Sequence, residues 1–136
     1  MTAFTNELGG RVVLMGYFPW NQIHGLSKSS QMKAVCRWLS YDRVPVLVES
    51  FAKVVVWSRE GVDGRKAVVV LSASLDPLEE LSIQVRSDDL HFLHFDPTAK
   101  SVAIAGEEIP SPGGYVRVTL RDLAPWSIHL LVNGSV

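Results

Sequence analysis

The chain has 136 residues, 47% of them hydrophobic and 20% charged, with a formal charge of -1. That is enough apolar material for a domain with its own core, and it excludes a disordered chain, which needs low hydrophobicity and high net charge. The balance of 13 basic and 14 acidic residues argues against the basic face of a nucleic-acid binder, and no apolar run approaches the roughly 20 residues of a membrane-spanning helix.

The opening MTAFTNELGG has neither the basic n-region nor the apolar h-region of a signal peptide. Arg11 to Phe18, RVVLMGYF, is a nearly continuous apolar run that Pro19 ends. Such runs fit strands buried on both faces, as in a parallel sheet. A loop, WNQIHGLSK, leads to a helix expected over Lys28–Ser40, with Ser27 as its N-cap. Met32, Val35, Cys36 and Leu39 fall at i, i+3, i+4 and i+7, one helical stripe. Cys36, the single cysteine, can form no internal disulfide, and its place on the stripe predicts a buried small hydrophobe. This strand-loop-helix is of the kind that closes an α/β sheet.

SYDRVP (Ser40 to Pro45) is the best linker, dividing the chain into residues 1–44 and 45–136. Beyond it the period changes. VLVES and AKVVVWSR read as strands, and EGVDGR carries the glycines and aspartate of a hairpin turn. KAVVVLSAS follows, its central valines suggesting burial on both faces. LSIQVR alternates, with Leu81, Ile83 and Val85 on one face and Ser82, Gln84 and Arg86 on the other. LHFLHF and SVAIAG are further strands separated by the turn DPTAK. EIPSPGG is read as a loop, YVRVTL alternates again, RDLAPW is a bend and SIHLLVN is the last strand. Short strands with turn signals roughly every eight to twelve residues predict a mainly β fold. The expected architecture is an antiparallel β-sandwich of about seven to eight strands, preceded by one strand-loop-helix unit.

No catalytic motif stands out. Most acidic residues sit in turns, where aspartate bonds its own backbone. Glu49 follows VLV and precedes SFAKVVV, so it is expected to point outward from a buried strand or to pair with a lysine or arginine. His91 and His94 have helical ligand spacing, but on a strand i and i+3 face opposite ways, which breaks a metal pair. No H-E-x-x-H frame, nucleophile elbow or dinucleotide loop is present, so neither a metal site nor a cofactor is expected. His24 and His129 read as hydrogen-bonded structural residues. A small enzyme built on Glu49, His24 and Asp42 is the weakest reading, since nothing in the sequence brings them together.

The aromatics carry the remaining signal. Tyr17, Trp20, Trp57, Tyr115 and Trp126 are the candidates for a sugar-stacking surface, set against burial in a core or interface. Trp57 and Trp126 are expected in the core. Tyr17 and Trp20 are expected to anchor a loop or interface.

Two stretches point further. GGRVVLMGYFPWNQIHGLSKSSQMKAVCRWLS resembles the last strand and helix of the amidotransferase-like domain of multidomain β-galactosidase-type glycoside hydrolases. AVVVLSASLDPLEELSIQVRS and VTLRDLAPWSIHLLV resemble the C-terminal β-sandwich of such enzymes. That sandwich often carries N-x-S-x-D where this chain has LSASLD, with Ser72 in place of the asparagine. The resemblance implies that residues 1–44 end an α/β domain and that residues 45–136 form a C-terminal accessory domain. It further implies an upstream catalytic domain of the same polypeptide as partner, and carbohydrate as the ligand class. The catalytic carboxylates of such families lie on that upstream barrel, so no catalytic residue is carried over. A free-standing carbohydrate-binding module using surface aromatics is the alternative.

Overall fold

The computed structural model describes residues 1–19 and 24–134. Strand makes up 48% of it and helix 12%, so the protein is mainly β. It divides into two units, Met1–Val44 and Pro45–Val136.

In the first unit, β1 (Thr2–Thr5) and β2 (Arg11–Leu14) pair antiparallel as a two-stranded ribbon, Thr2 opposite Leu14 and Thr5 opposite Arg11. Their turn is closed by Asn6, whose Oδ1 accepts from the backbone N–H of Leu8 (3.1 Å) and of Gly10 (2.7 Å). Gly9 adopts φ +82° there, open to glycine at no steric cost. Helix α1 runs from Leu26 to Leu39 with Gly25 at its N-cap. The Arg11 guanidinium lies over the Trp38 ring (5.0 Å) and the Tyr41 ring (3.7 Å) and donates to the Trp38 carbonyl, which fastens β2 to the end of α1.

Three expectations are corrected here. The apolar run from Arg11 stops being strand at Leu14 and pairs antiparallel rather than inside a parallel sheet. A two-stranded ribbon has too few neighbours to bury both faces, so Val12 and Val13 are half-buried and Leu14 is exposed. The helix begins two residues before Lys28, and Ser27 is inside it rather than capping it. Of the predicted stripe only Val35 is buried; Met32 is half-buried, while Leu39 and the Cys36 thiol are exposed.

The second unit is an antiparallel sandwich of two sheets. Strands β3 (Val46–Val48), β6 (Leu78–Arg86), β10 (Tyr115–Leu123) and β9 (Glu107–Ile109) form a four-stranded sheet in that order. Strands β4 (Val54–Glu60), β5 (Lys66–Ser72), β11 (Ile128–Asn133), β7 (His91–Phe95) and β8 (Ser101–Ala105) form a five-stranded sheet in that order. In this unit the strand not read from the sequence is β9, whose Glu108 and Ile109 fall in the stretch taken as a loop.

Alternation decides the core. Leu81, Ile83 and Val85 of β6 and Val116, Val118 and Leu120 of β10 are buried and pack with Val68 and Val70 of β5, Phe92 of β7 and Leu131 of β11. Turn chemistry sets the register. In the β4–β5 hairpin Gly64 takes φ +77°, and Asp63 Oδ1 accepts from Arg65 N–H. Between β7 and β8, Asp96 Oδ1 accepts from the N–H groups of Thr98 (2.8 Å) and Lys100 (3.0 Å).

Gly106 carries the chain from β8 of one sheet to β9 of the other. A Cβ at this position would stand 2.2 Å from Val116 Cγ1 and 3.1 Å from the Arg117 carbonyl oxygen. Valine is stiff and Val116 is buried, so the clash has no easy relief. Gly106→Ala is expected to cost about 1–3 kcal/mol in urea denaturation; an unchanged midpoint would show that the crossing can relax.

Candidate functional site

The two outward faces of the sandwich differ in chemistry. On the four-stranded sheet, Ser82, Gln84, Arg117 and Thr119 alternate with the core residues. Arg117 lies across this face: its Nε and Nη2 donate to both oxygens of Glu49 (2.7 and 2.8 Å) and its Nη1 to Glu107 (3.0 Å). These two carboxylates hold the Arg117 pKa above its ordinary value. Glu49 thus points outward and pairs with an arginine, as one of its two expected placements required. Asp42, the other carboxylate of the weakest reading, binds Arg37 (2.7 Å), and His24 is exposed.

On the five-stranded sheet the outward positions follow from the register. Trp57, Val69, Leu130, Phe95 and Ser101 form one row across all five strands. Arg59, Ala67, Val132, Leu93 and Ala103 form the next, and Val55, Leu71 and Ile128 a third. Trp57 is 52% exposed and Ile128 57%, and Val55 is exposed with them. A solvated antiparallel face reads polar at such positions. This one carries eleven apolar residues with Arg59 and Ser101 at its edges. Contiguous apolar patches beyond a few hundred Å² are rare on monomers and mark interaction surfaces.

The predicted aromatics separate. Trp57 and Trp126 are not in the core: Trp57 has the outward parity of β4, and Trp126, 62% exposed, sits in the β10–β11 turn with φ +56°. Tyr115 is 0% exposed, so it offers no sugar platform. Tyr17 is half-buried, its hydroxyl donating to Gln31 Oε1 (3.0 Å) and its ring under Lys28 Nζ (4.9 Å), which suits the predicted anchor. Trp20 lies outside the described residues.

A buried polar chain was missed by sequence reasoning. His94 of β7 and His129 of β11 meet on the inner face of the five-stranded sheet, Nε2 to Nδ1 at 2.9 Å, with rings stacked at 5.1 Å. His129 Nε2 lies 2.8 Å from Ser127 Oγ, which donates to the Ala124 carbonyl (2.6 Å). A hydroxyl has one proton. With it committed to Ala124, His129 Nε2–H donates to Ser127, and His94 Nε2–H donates to His129 Nδ1. A histidine that donates to a serine hydroxyl cannot take its proton, so this is not a nucleophile and its base. Burial lowers the pKa of both rings, with Asp96 partly opposing it and the charge of His94 lowering His129 further. The Ser72 hydroxyl is buried without a hydrogen-bond partner among the described residues. As strand geometry requires, His91 is exposed on the other face of β7 from His94.

An open groove of about 590 Å³ is lined by Lys66, Asp88, Asp89, Leu90, His91 and Asn133 among others. Two of its charged groups are committed: Lys66 Nζ donates to the Arg86 carbonyl (2.6 Å), and Asp89 accepts from His91 N–H (2.8 Å), the main cause of its lowered pKa. Among the described residues no group of three or more His, Cys, Asp or Glu could hold a metal, and no helix is long and apolar enough to cross a membrane. No protein-family model, curated protein or solved structure matches the chain.

Proposed function

We propose that the chain is a non-catalytic accessory module, and that its work is packing through the outward face of the five-stranded sheet. The contrast between the two outward faces carries this reading. One is a polar face bridged by the ion pairs of Arg117, and the other is an apolar sheet face with Arg59 and Ser101 only at its edges. The resemblance of LSASLD and VTLRDLAPWSIHLLV to accessory sandwiches extends the proposal to a glycoside hydrolase, with the catalytic domain upstream in the same polypeptide. The test is the size of the native polypeptide, by immunoblot from source cells, beside a screen of the purified chain on glycoside, ester and phosphate substrates. A band far above 15.0 kDa and a flat screen are expected. Turnover by the chain alone would overturn the non-catalytic reading, and a band at 15.0 kDa would overturn the upstream partner.

The exposure of Trp57 and Trp126 favours a second reading, carbohydrate binding by surface aromatics. Stacked sugars also need donors and acceptors for their hydroxyls. The cross-strand and same-face neighbours of Trp57, namely Val55, Ala67, Val69 and Leu71, offer none; Arg59 alone does. Affinity electrophoresis through polysaccharide gels is expected to leave mobility unchanged. Retardation relieved by Trp57→Ala would establish the sugar-binding reading instead.

A further inference from the structure

We infer that the partner covering the outward face of the five-stranded sheet is a second copy of this chain, packed sheet on sheet about a two-fold axis along β11. The inference rests on the reading of that face as a covered surface and adds what covers it.

The strand order places β11 in the middle, with β4 and β8 at opposite edges. A two-fold axis parallel to β11 and lying between two such faces keeps strand direction and position while exchanging the edges. Each β4 then lies over the other copy's β8, each β5 over the other's β7, and β11 over itself. The rows are complementary in size under that operation. Trp57 meets Ser101, Arg59 meets Ala103, Phe95 meets Val69 and Leu93 meets Ala67, so a large side chain faces a smaller one at every edge pair. Leu130, in the central row, meets its own copy. A closed isologous interface requires this kind of self-complementarity.

Charge agrees with size. Arg59, and Lys53 with the same parity just before β4, put the positive charge of this face on its β4 edge. The edge exchange sets Arg59 over Ala103, so the two copies' Arg59 side chains never meet, while Lys53 lies two rows beyond Trp57, off the end of β8. The twist of stacked sheets, about 30°, leaves these pairings in register near the axis.

The area is that of a weak dimer. Five strands spaced about 4.8 Å, presenting roughly five residues each at about 3.4 Å, give a footprint on the order of 400 Å² per copy. Counted over both copies this is on the order of 800 Å², and interdigitating side chains bury somewhat more than their footprint, so the pair falls at or below the lower end of the roughly 1,200–2,000 Å² of stable interfaces. The dimer is therefore expected to dissociate on dilution.

The test is sedimentation of the full chain across a concentration series, with cross-linking in a Cys36→Ser background because the native thiol is exposed. A shift from 15.0 kDa to twice that mass is expected as concentration rises. Leu130→Cys, on the axis, is expected to form disulfide dimers under mild oxidation, while Val55→Cys, away from it, does not. Trp57→Arg is expected to abolish the mass shift. A chain that stays monomeric throughout, or that cross-links equally through both cysteines, overturns the two-fold arrangement. If the monomer binds an apolar dye that Leu130→Lys removes, the covered-face reading stands and only the second copy fails. If the monomer binds no dye, both fail.

Discussion

Phe92→Ala is expected to lower the unfolding free energy by about 3–5 kcal/mol, measured by urea denaturation at a concentration where the chain is monomeric. Phe92 is buried on the inward side of β7, among the core residues that join the two sheets. Removing its ring leaves a cavity that neighbours on two hydrogen-bonded sheets cannot collapse to fill. Trp57→Ala removes a larger side chain and is expected to shift the same midpoint by only about 0.5 kcal/mol, because Trp57 stands on the outward face of an edge strand. The pair of variants therefore reads out which parity of each strand faces the core. Equal losses would mean that the outward face is packed interior.

The second large effect is expected in acid. His94 and His129 both have pKa values below the ordinary 6.5, chiefly through burial. As pH falls through 6.5 the unfolded chain takes up protons before the folded one does. Stability is thus fully present above that value and is lost progressively as pH falls toward the lowered folded values. One proton on the pair is tolerated, since one ring can still donate to the other. A second would set two N–H groups face to face at 2.9 Å. The carboxylates Asp63, Asp89 and Asp96 have pKa values lowered from 3.8 and act outside this window. Thermal unfolding from pH 8 to pH 5 is expected to show a falling Tm in the native chain and a shallower fall in His129→Leu. Parallel slopes would show that the pair carries no linkage.

How much of this was legible depends on whether a strand's two faces differ. In LSIQVR they do, so Leu81, Ile83 and Val85 declared the core directly. In AKVVVWSR and KAVVVLS both parities are apolar, the period of two vanishes, and Trp57 was read as core although it stands on the outward face. The same loss of alternation is what identifies the outward face once the register is known. The His94–His129 contact joins residues 35 positions apart and exists only because β7 and β11 pair antiparallel, which no local pattern encodes. Glu49 was half legible: its carboxylate between two valine runs signalled a partner, and Arg117, 68 residues on, supplied it. β1 went unread because TAFT is short, although the turn NELGG after it carries the signal of a hairpin. Cys36 followed the helical stripe but not its burial.

The central claim, that the outward face of the five-stranded sheet is folded to be covered, is tested most directly by charging it. In the triple variant Val55→Lys, Trp57→Lys, Ile128→Glu, the account predicts an unchanged urea midpoint at monomeric concentration together with loss of apolar-dye binding and of self-association. A variant that fails to fold, or that binds dye as the native chain does, would contradict it.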